Sequence, residues 1–161
     1  MSVALEKVRF LVVDDNLHVI NIVKAVLRGL GAMHVFDARS PKEALERLRN
    51  DAVDIVILDY MLGENDGVEF LRRLRTDPKS PAPYVPVIML TAHTEKSRVE
   101  AARDAGANAF CSKPVTPAEL MRKIAVIIDR PQPFVRTGDY TGPDRRRRDD
   151  APKGPDRRKG R

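Results

Sequence analysis

Five times in its first 130 residues this chain passes from a short, nearly continuous apolar run to a stretch with apolar side chains at helical spacing. Val8–Val13 reads VRFLVV and stops at Asp14-Asp15; positions 19, 20, 22, 23, 26, 27 and 30 then repeat as one face of a helix that ends at Gly31. Met33–Ala38 predicts a second strand. Ser40-Pro41-Lys42-Glu43 is a capping box with proline at the first helical position, and it opens a helix to about Asn50. Val53–Leu58 (VDIVIL) predicts a third strand ending in Asp59, with a helix over Val68–Arg75. The four prolines of Asp77–Pro86 mark a connector. Val87–Leu90 predicts a fourth strand ending at Thr91, followed by a helix from about Glu95 to Ala105. Ala107–Ser112 predicts a fifth, broken by Lys113-Pro114, and the capping box Thr116-Pro117-Ala118-Glu119 opens a last helix to about Asp129. Strands so uniformly apolar are buried on both faces, which calls for a parallel sheet covered by helices on each side. The expected class is α/β, a doubly wound five-stranded parallel sheet.

Charge and composition divide the chain after Arg130. Residues 1–130 carry 19 basic and 18 acidic side chains, whereas residues 131–161 carry 10 and 5, so the last part holds most of the net +6. That part has five prolines, four glycines and, as apolar residues, only Phe134, Val135, Tyr140 and Ala151. Such a composition buries too little to offset its ordering entropy, so the expectation is a folded domain over 1–130 and a disordered, basic Arg/Pro/Gly-rich tail over 131–161. The tail repeats GPDRR at 142–146 and 154–158. It reads either as a solvated extension or as an arm for an anionic partner: nucleic acid, an acidic protein or a membrane face. Its 31 residues leave no room for a folded DNA-binding domain, and Tyr140 is the only aromatic near the arginines. The single cysteine, Cys111, excludes a disulfide framework, and no apolar run nears the ~20 residues of a membrane span. The charged start MSVALEKVRF does not resemble a signal peptide, so a cytoplasmic location is expected.

In open parallel sheets, ligands sit beyond the carboxyl ends of the strands. Here those ends carry Asp14-Asp15, Asp59, Thr91 and Lys113-Pro114. Three carboxylates brought together repel unless a cation lies among them, and oxygen donors without His or Cys suit Mg²⁺. The three histidines, His18, His34 and His93, share no metal spacing; His93 stands near Thr91, as a rim residue or a solvated loop residue. Metal, lysine and hydroxyl together fit a phosphoryl group under in-line attack by a carboxylate oxygen. Each element has a plainer reading alone: an Asp pair after a strand often caps a helix, Thr91 could do the same, and Phe110 could be simple core. Their joint occurrence at four strand ends favours the phosphoryl site.

The order Asp-Asp, Asp, Thr, Lys-Pro on five βα units resembles the receiver domain of two-component response regulators, the CheY-like family, over about residues 7–130. The resemblance implies a flavodoxin-like sheet of strand order 2-1-3-4-5, and a phosphoacceptor signalling protein that catalyses only its own phosphorylation and dephosphorylation. Asp59 would take the phosphoryl group from a sensor histidine kinase or histidine phosphotransfer protein. Asp15 and Asp59 would hold Mg²⁺ by their side chains, Met61 by its backbone carbonyl, and Asp14 through water. Thr91 and Lys113 would contact the phosphoryl oxygens, and Lys113-Pro114 would be cis. Phe110, three residues before the lysine, stands at the family's switch position with Thr91. The resemblance places kinase docking at Leu17, His18 and Pro114, and a downstream protein target on the face from the fourth strand to the fifth helix; a homodimer is compatible with it.

The loop after Asp59 departs from the family. Leu62-Gly63 replaces the usual Met-Pro, while Asp66-Gly67 is kept. Glycine lacks proline's fixed φ, so a looser loop is expected. Apolar Met61 stands where many relatives carry a polar residue, which predicts poor orientation of an attacking water and a long phosphoryl lifetime. Two other readings compete. One is a nucleic-acid-binding regulator acting through the basic tail. The other is a haloacid dehalogenase-type phosphohydrolase, whose strand-one spacing Asp14-Asp15-Asn16 does not match.

Overall fold

A computed structural model of the chain describes residues 4–92, 96–138 and 140–145. In it all five apolar runs are parallel strands: β1 (Arg9–Val13), β2 (His34–Ala38), β3 (Ile55–Asp59), β6 (Val87–Thr91) and β7 (Ala109–Ser112). Between β3 and β6 lie two short strands, β4 (Met61–Leu62) and β5 (Asn65–Asp66), and after the last helix come β8 (Phe134–Arg136) and β9 (Thr141–Pro143). The helices are α1 (Leu17–Gly29), α2 (Pro41–Asn50), α3 (Gly67–Thr76), α4 (Lys96–Ala105) and α5 (Pro117–Asp129). The sheet order β2-β1-β3-β6-β7 is the expected 2-1-3-4-5 of the five sheet strands.

Successive strand residues sort by parity into two cores, as a sheet buried on both faces requires. Leu11, Val13, Val56, Leu58, Val87 and Met89 face Ala44 and Leu48 of α2, Leu71 and Leu74 of α3, and Ala102 of α4. Phe10, Val12, Ile55, Ile57, Ile88 and Leu90 face Ile20, Val23 and Leu27 of α1, and Leu120 and Ile124 of α5. Side chains such as Leu11, Leu27 and Leu120 are fully buried, and truncating one to alanine in a core like this costs about 2–5 kcal/mol. The helix starts behave as their sequences predict: Ser40 Oγ accepts from Glu43 N, and Thr116 Oγ1 from Glu119 N. Asn16 Oδ1 caps α1 by accepting from His18 N and Val19 N.

The segment after α5 corrects the expectation of disorder from residue 131. Across 134–143 the chain forms an antiparallel hairpin, β8–β9, in the register Phe134↔Pro143, Val135↔Gly142 and Arg136↔Thr141. Thr141 to Asp144 are buried. The hairpin sits on Arg75 of α3, a fully buried arginine whose five N–H groups all find neutral acceptors. Its Nε and Nη2 donate to Gly106 O, its Nη1 to Pro83 O and Val85 O, and its Nη2 also to Asn108 Oδ1, at 2.7–3.1 Å. The Phe134 ring lies 4.7 Å from the guanidinium carbon, and Tyr84 meets Phe134 edge-on at 5.4 Å. A Cβ at Gly142 would collide with Gly106 Cα at 2.8 Å, so the hairpin and the end of α4 touch backbone to backbone. Composition fails here because a cation–π stack and a glycine contact, not an apolar stripe, dock the hairpin. The first GPDRR copy is thus partly in the fold; its Arg146 and the second copy lie outside the described residues, as do His93 and Thr94.

Candidate functional site

The carboxyl ends of β1, β3, β6 and β7 bring the predicted residues to one edge of the sheet. Asp14 follows β1 with its backbone N–H bonded to Ala38 O, Asp59 ends β3, Thr91 ends β6, and Lys113 follows β7. Backbone bonds lock the last two together, since Lys113 N donates to Thr91 O at 2.9 Å. The Lys113–Pro114 peptide is cis. Asp14 and Asp59 are buried, at 1% and 6% exposure, whereas Asp15 is exposed. One carboxylate oxygen from each of Asp14, Asp15 and Asp59 lies within 4.8 Å of the others.

Among the described residues one ammonium serves this cluster. Lys113 Nζ donates to Asp59 Oδ1 at 2.7 Å and lies 3.7 Å from Asp14 Oδ2. Asp14 Oδ1 accepts from Asn16 N at 2.9 Å, but its buried Oδ2 has no hydrogen-bond donor. Burial pushes the Asp14 carboxyl up to about 6, against the opposing pull of the Asn16 N–H, and the neighbouring Asp59 charge adds to the rise. Burial also raises Asp59, with the Lys113 hydrogen bond as the main opposing influence. Three carboxylates facing one lysine, with a buried oxygen left unsatisfied, suit a hard divalent cation bound through oxygen. The donor set fits Mg²⁺.

The loop beyond Asp59 explains the departure at Gly63. Met61–Leu62 pairs with Asn65–Asp66 across a two-residue turn, Gly63-Glu64, in which Gly63 has φ +64°. Positive φ at the first central position only is the pattern of a II′ hairpin turn, which proline at φ ≈ −65° cannot make. The expected looseness gives way to a short hairpin. An added Cβ on Gly63 would stand 3.2 Å from Asp15 Oδ2, so this glycine also leaves room for the exposed carboxylate. Gly67 is tighter still: a Cβ there would overlap the backbone carbonyls of Asp59 and Tyr60, while Gly67 N donates to Tyr60 O at 2.8 Å. Asp66 Oδ1 caps α3 by accepting from Val68 N. Gly63 and Gly67 have no chemistry of their own, so residue type does not mark them as site residues; the Asp66-Gly67 dipeptide, a turn signal seven residues past Asp59, is the one sequence trace of the second.

The remaining predicted residues stand close to these positions in sequence. Met61 is 50% exposed on β4, two residues past Asp59. Phe110 is half-buried on β7 and packs on the α2–α4 side of the sheet. Leu17 and His18 are exposed on the first turn of α1, and Pro114 is exposed beside Lys113. Among the described residues no helix is long and apolar enough to cross a membrane.

The profile of the response regulator receiver domain matches residues 10–125. The KDP operon transcriptional regulatory protein KdpE of Escherichia coli (strain K12) is 36% identical over 137 residues; the match takes in 81% of this chain but only 58% of KdpE. Chemotaxis protein CheY-3 of Vibrio cholerae is 32% identical over 125 residues, 78% of this chain and 95% of CheY-3. Among solved structures, a CheY-like response regulator receiver domain protein from Methanospirillum hungatei JF-1 superposes with a TM-score of 0.65 at 28% identity, over 76% of this chain and 94% of that one. Neither the dehalogenase nor the nucleic-acid reading draws support from these likenesses.

Proposed function

The chain belongs to the response regulator receiver domain family, and from that premise we propose that Asp59 is its phosphoacceptor, charged from a phosphohistidine on a sensor kinase or phosphotransfer protein. The observation that carries this reading is the meeting of Asp59 with Lys113 at 2.7 Å inside a three-carboxylate cluster. A carboxylate oxygen of Asp59 attacks phosphorus in line as the P–N bond breaks, and the imidazole leaves with that electron pair. The product is an acyl phosphate on a buried strand end.

Asp15 and Asp59 by side chain, Met61 by its backbone carbonyl and Asp14 through water are the groups that would hold Mg²⁺. The ion, when bound, supplies positive charge for the phosphoryl oxygens. Lys113 supplies a second positive charge, and Thr91 presents its hydroxyl to the same oxygens. Phosphorylation adds charge where Thr91 ends β6 and Lys113 follows β7. Drawing both inward repacks the face from β6 to α5, including Phe110, and changes affinity for a downstream protein there. Leu17, His18 and Pro114, exposed beside the cluster, supply the kinase-facing surface.

Residues 146–161 add eight basic against three acidic side chains, a charge suited to an anionic contact. The test is a pull-down with beryllofluoride-treated protein and with Asp59→Ala, each with and without residues 146–161. Partners retained by the treated protein and lost with Asp59→Ala support the phosphorylation switch. An identical partner set from both contradicts it.

A further inference from the structure

Between α2 and α3, on the side of the sheet away from α1 and α5, lies a groove of about 410 Å³ lined in its middle by Leu45, Phe70 and Leu74. Its charges are sorted along its length. Glu64, Asp66 and Glu69 stand where α3 begins, and Arg49, Arg73 and Lys79 stand where α2 and α3 finish. Asp77 also lines the second end, where its Oδ1 accepts from Lys79 N. Helix dipoles favour this order within a helix, but Glu64 precedes α3 and Lys79 follows it, so the sorting runs past the helix ends. Among the described residues, Glu64, Arg49, Arg73 and Lys79 enter no ion pair.

We infer that this groove docks the chain's own arm, residues 149–159, as a contact within one molecule. The arm carries the matching charges in the matching order. Asp149-Asp150 meets Arg49, Arg73 and Lys79, Pro152-Lys153-Gly154-Pro155 crosses the apolar middle, and Arg157-Arg158-Lys159 meets Glu64, Asp66 and Glu69. Prolines at P-x-x-P spacing suit the polyproline helix in which such segments lie in apolar grooves. The lengths agree. The ten residues of α3 rise ~15 Å, so the charged ends that flank it stand ~20 Å apart. The seven steps from Asp150 to Arg157 span ~22 Å at ~3.1 Å each. The starting point agrees as well. Arg145 is held to Asp104 of α4 at 2.7 Å, and Gly106, just past α4, accepts from Arg75 of α3. One helix, ~10 Å across, then separates Arg145 from the groove's basic end, a step that Arg146–Arg148 cover at ~3.3 Å per residue. The two GPDRR copies thus differ in use: the first buries Gly142 and Asp144 in the hairpin, and the second lays its arginines on the β4–β5 turn that follows Asp59.

The experiment treats the full chain with a carbodiimide, which joins an ammonium to an adjacent carboxylate, in an equal mixture of isotope-labelled and unlabelled protein, and maps the links by mass spectrometry. Links are expected from Lys159 to Glu64 or Glu69 and from Lys79 to Asp149 or Asp150, all within single chains. They should exceed severalfold those from Lys159 to Glu6 and Asp129, which are exposed elsewhere on the surface. Asp149→Lys/Asp150→Lys leaves Lys159 and its acceptors in place. It is expected to cut the Lys159 links about threefold, since two surface attractions become repulsions. Exposed pairs of this kind move the melting temperature little, so the links are the readout. Asp59→Ala keeps the links, so a failure of the phosphoacceptor reading leaves this result standing, and the reverse. Links no more abundant than those to Glu6 and Asp129, links only between labelled and unlabelled chains, or links unchanged on Asp149→Lys/Asp150→Lys would overturn the inference.

Discussion

The Lys113 ammonium donates to Asp59 Oδ1 at 2.7 Å and stays 3.7 Å from Asp14 Oδ2, so a single cation is shared unequally between two buried carboxylates. The one it grips is the proposed phosphoacceptor. A donor already aimed at the reacting group lowers the cost of charge developing on the phosphoryl oxygens, and removing such a donor typically slows reaction ~10²-fold. Lys113→Met keeps most of the side chain's length and volume and is expected to slow labelling by phosphoramidate by about that factor. An unchanged labelling rate contradicts the role.

Asp14 and Asp59 both carry raised carboxyls, and Asp14 makes a separable contribution to the pH dependence of the metal-free protein. Its folded value of about 6 lies above the 3.8 of the unfolded chain, so between these values the folded state holds a proton that the unfolded state has released. Stability therefore falls as pH rises through that window, by about 2–3 kcal/mol for this group. Asp14→Asn has no such proton to lose. In urea unfolding with EDTA, the stability difference between wild type and Asp14→Asn is expected to turn against wild type by that amount from about pH 4 to pH 7. Parallel pH curves contradict the assignment. Added Mg²⁺ at pH 7 reverses part of the loss in wild type, because a ligand that binds only the folded state stabilises it.

Two glycines shape the loop over the site. Gly67→Ala drives a Cβ into the carbonyls of Asp59 and Tyr60 and is expected to cost about 1–3 kcal/mol while slowing phosphoramidate labelling. Gly63→Pro imposes negative φ where the chain has +64°, at a cost of about 1–3 kcal/mol. Wild-type melting temperatures for both variants contradict the account of this loop.

Arg75 joins the C-terminal hairpin to the sheet's other end. Arg75→Met strands the carbonyls of Gly106, Pro83 and Val85 and removes the Phe134 stack, a loss of about 3 kcal/mol or more. Truncation after Arg130 removes the hairpin and is expected to lower the melting temperature by about 10 °C, whereas truncation after Arg145 leaves it unchanged. Equal melting temperatures for the two truncations contradict an integral hairpin.

The sheet was legible because each strand is an apolar run with a sharp polar end, and the candidate site was legible because those ends carry its carboxylates, hydroxyl and lysine. Asp14, Asp15, Asp59, Thr91 and Lys113 come together on topology alone. Gly63 was read only as a missing proline, since the turn that uses its positive φ depends on two strands of two residues each. The hairpin escaped because its anchor, Arg75, looks like an ordinary surface residue of α3. Periodicity does not show that a buried guanidinium can satisfy all five of its N–H groups on carbonyl and amide oxygens.

Met61 is expected to lengthen the life of the acyl phosphate, because its exposed thioether chain beside Asp59 offers water no hydrogen bond. Met61→Asn should shorten the half-life of phosphorylated Asp59, followed by loss of label after the donor is removed. A half-life equal to or longer than wild type contradicts this.

Whether Asp59 takes a phosphoryl group in a site completed by a divalent cation is decided by intact-protein mass spectrometry after incubation with phosphoramidate. One phosphoryl adduct per chain is expected with Mg²⁺, no adduct in EDTA, and none on Asp59→Ala under either condition. An adduct of equal yield on Asp59→Ala, or one formed equally well in EDTA, contradicts it.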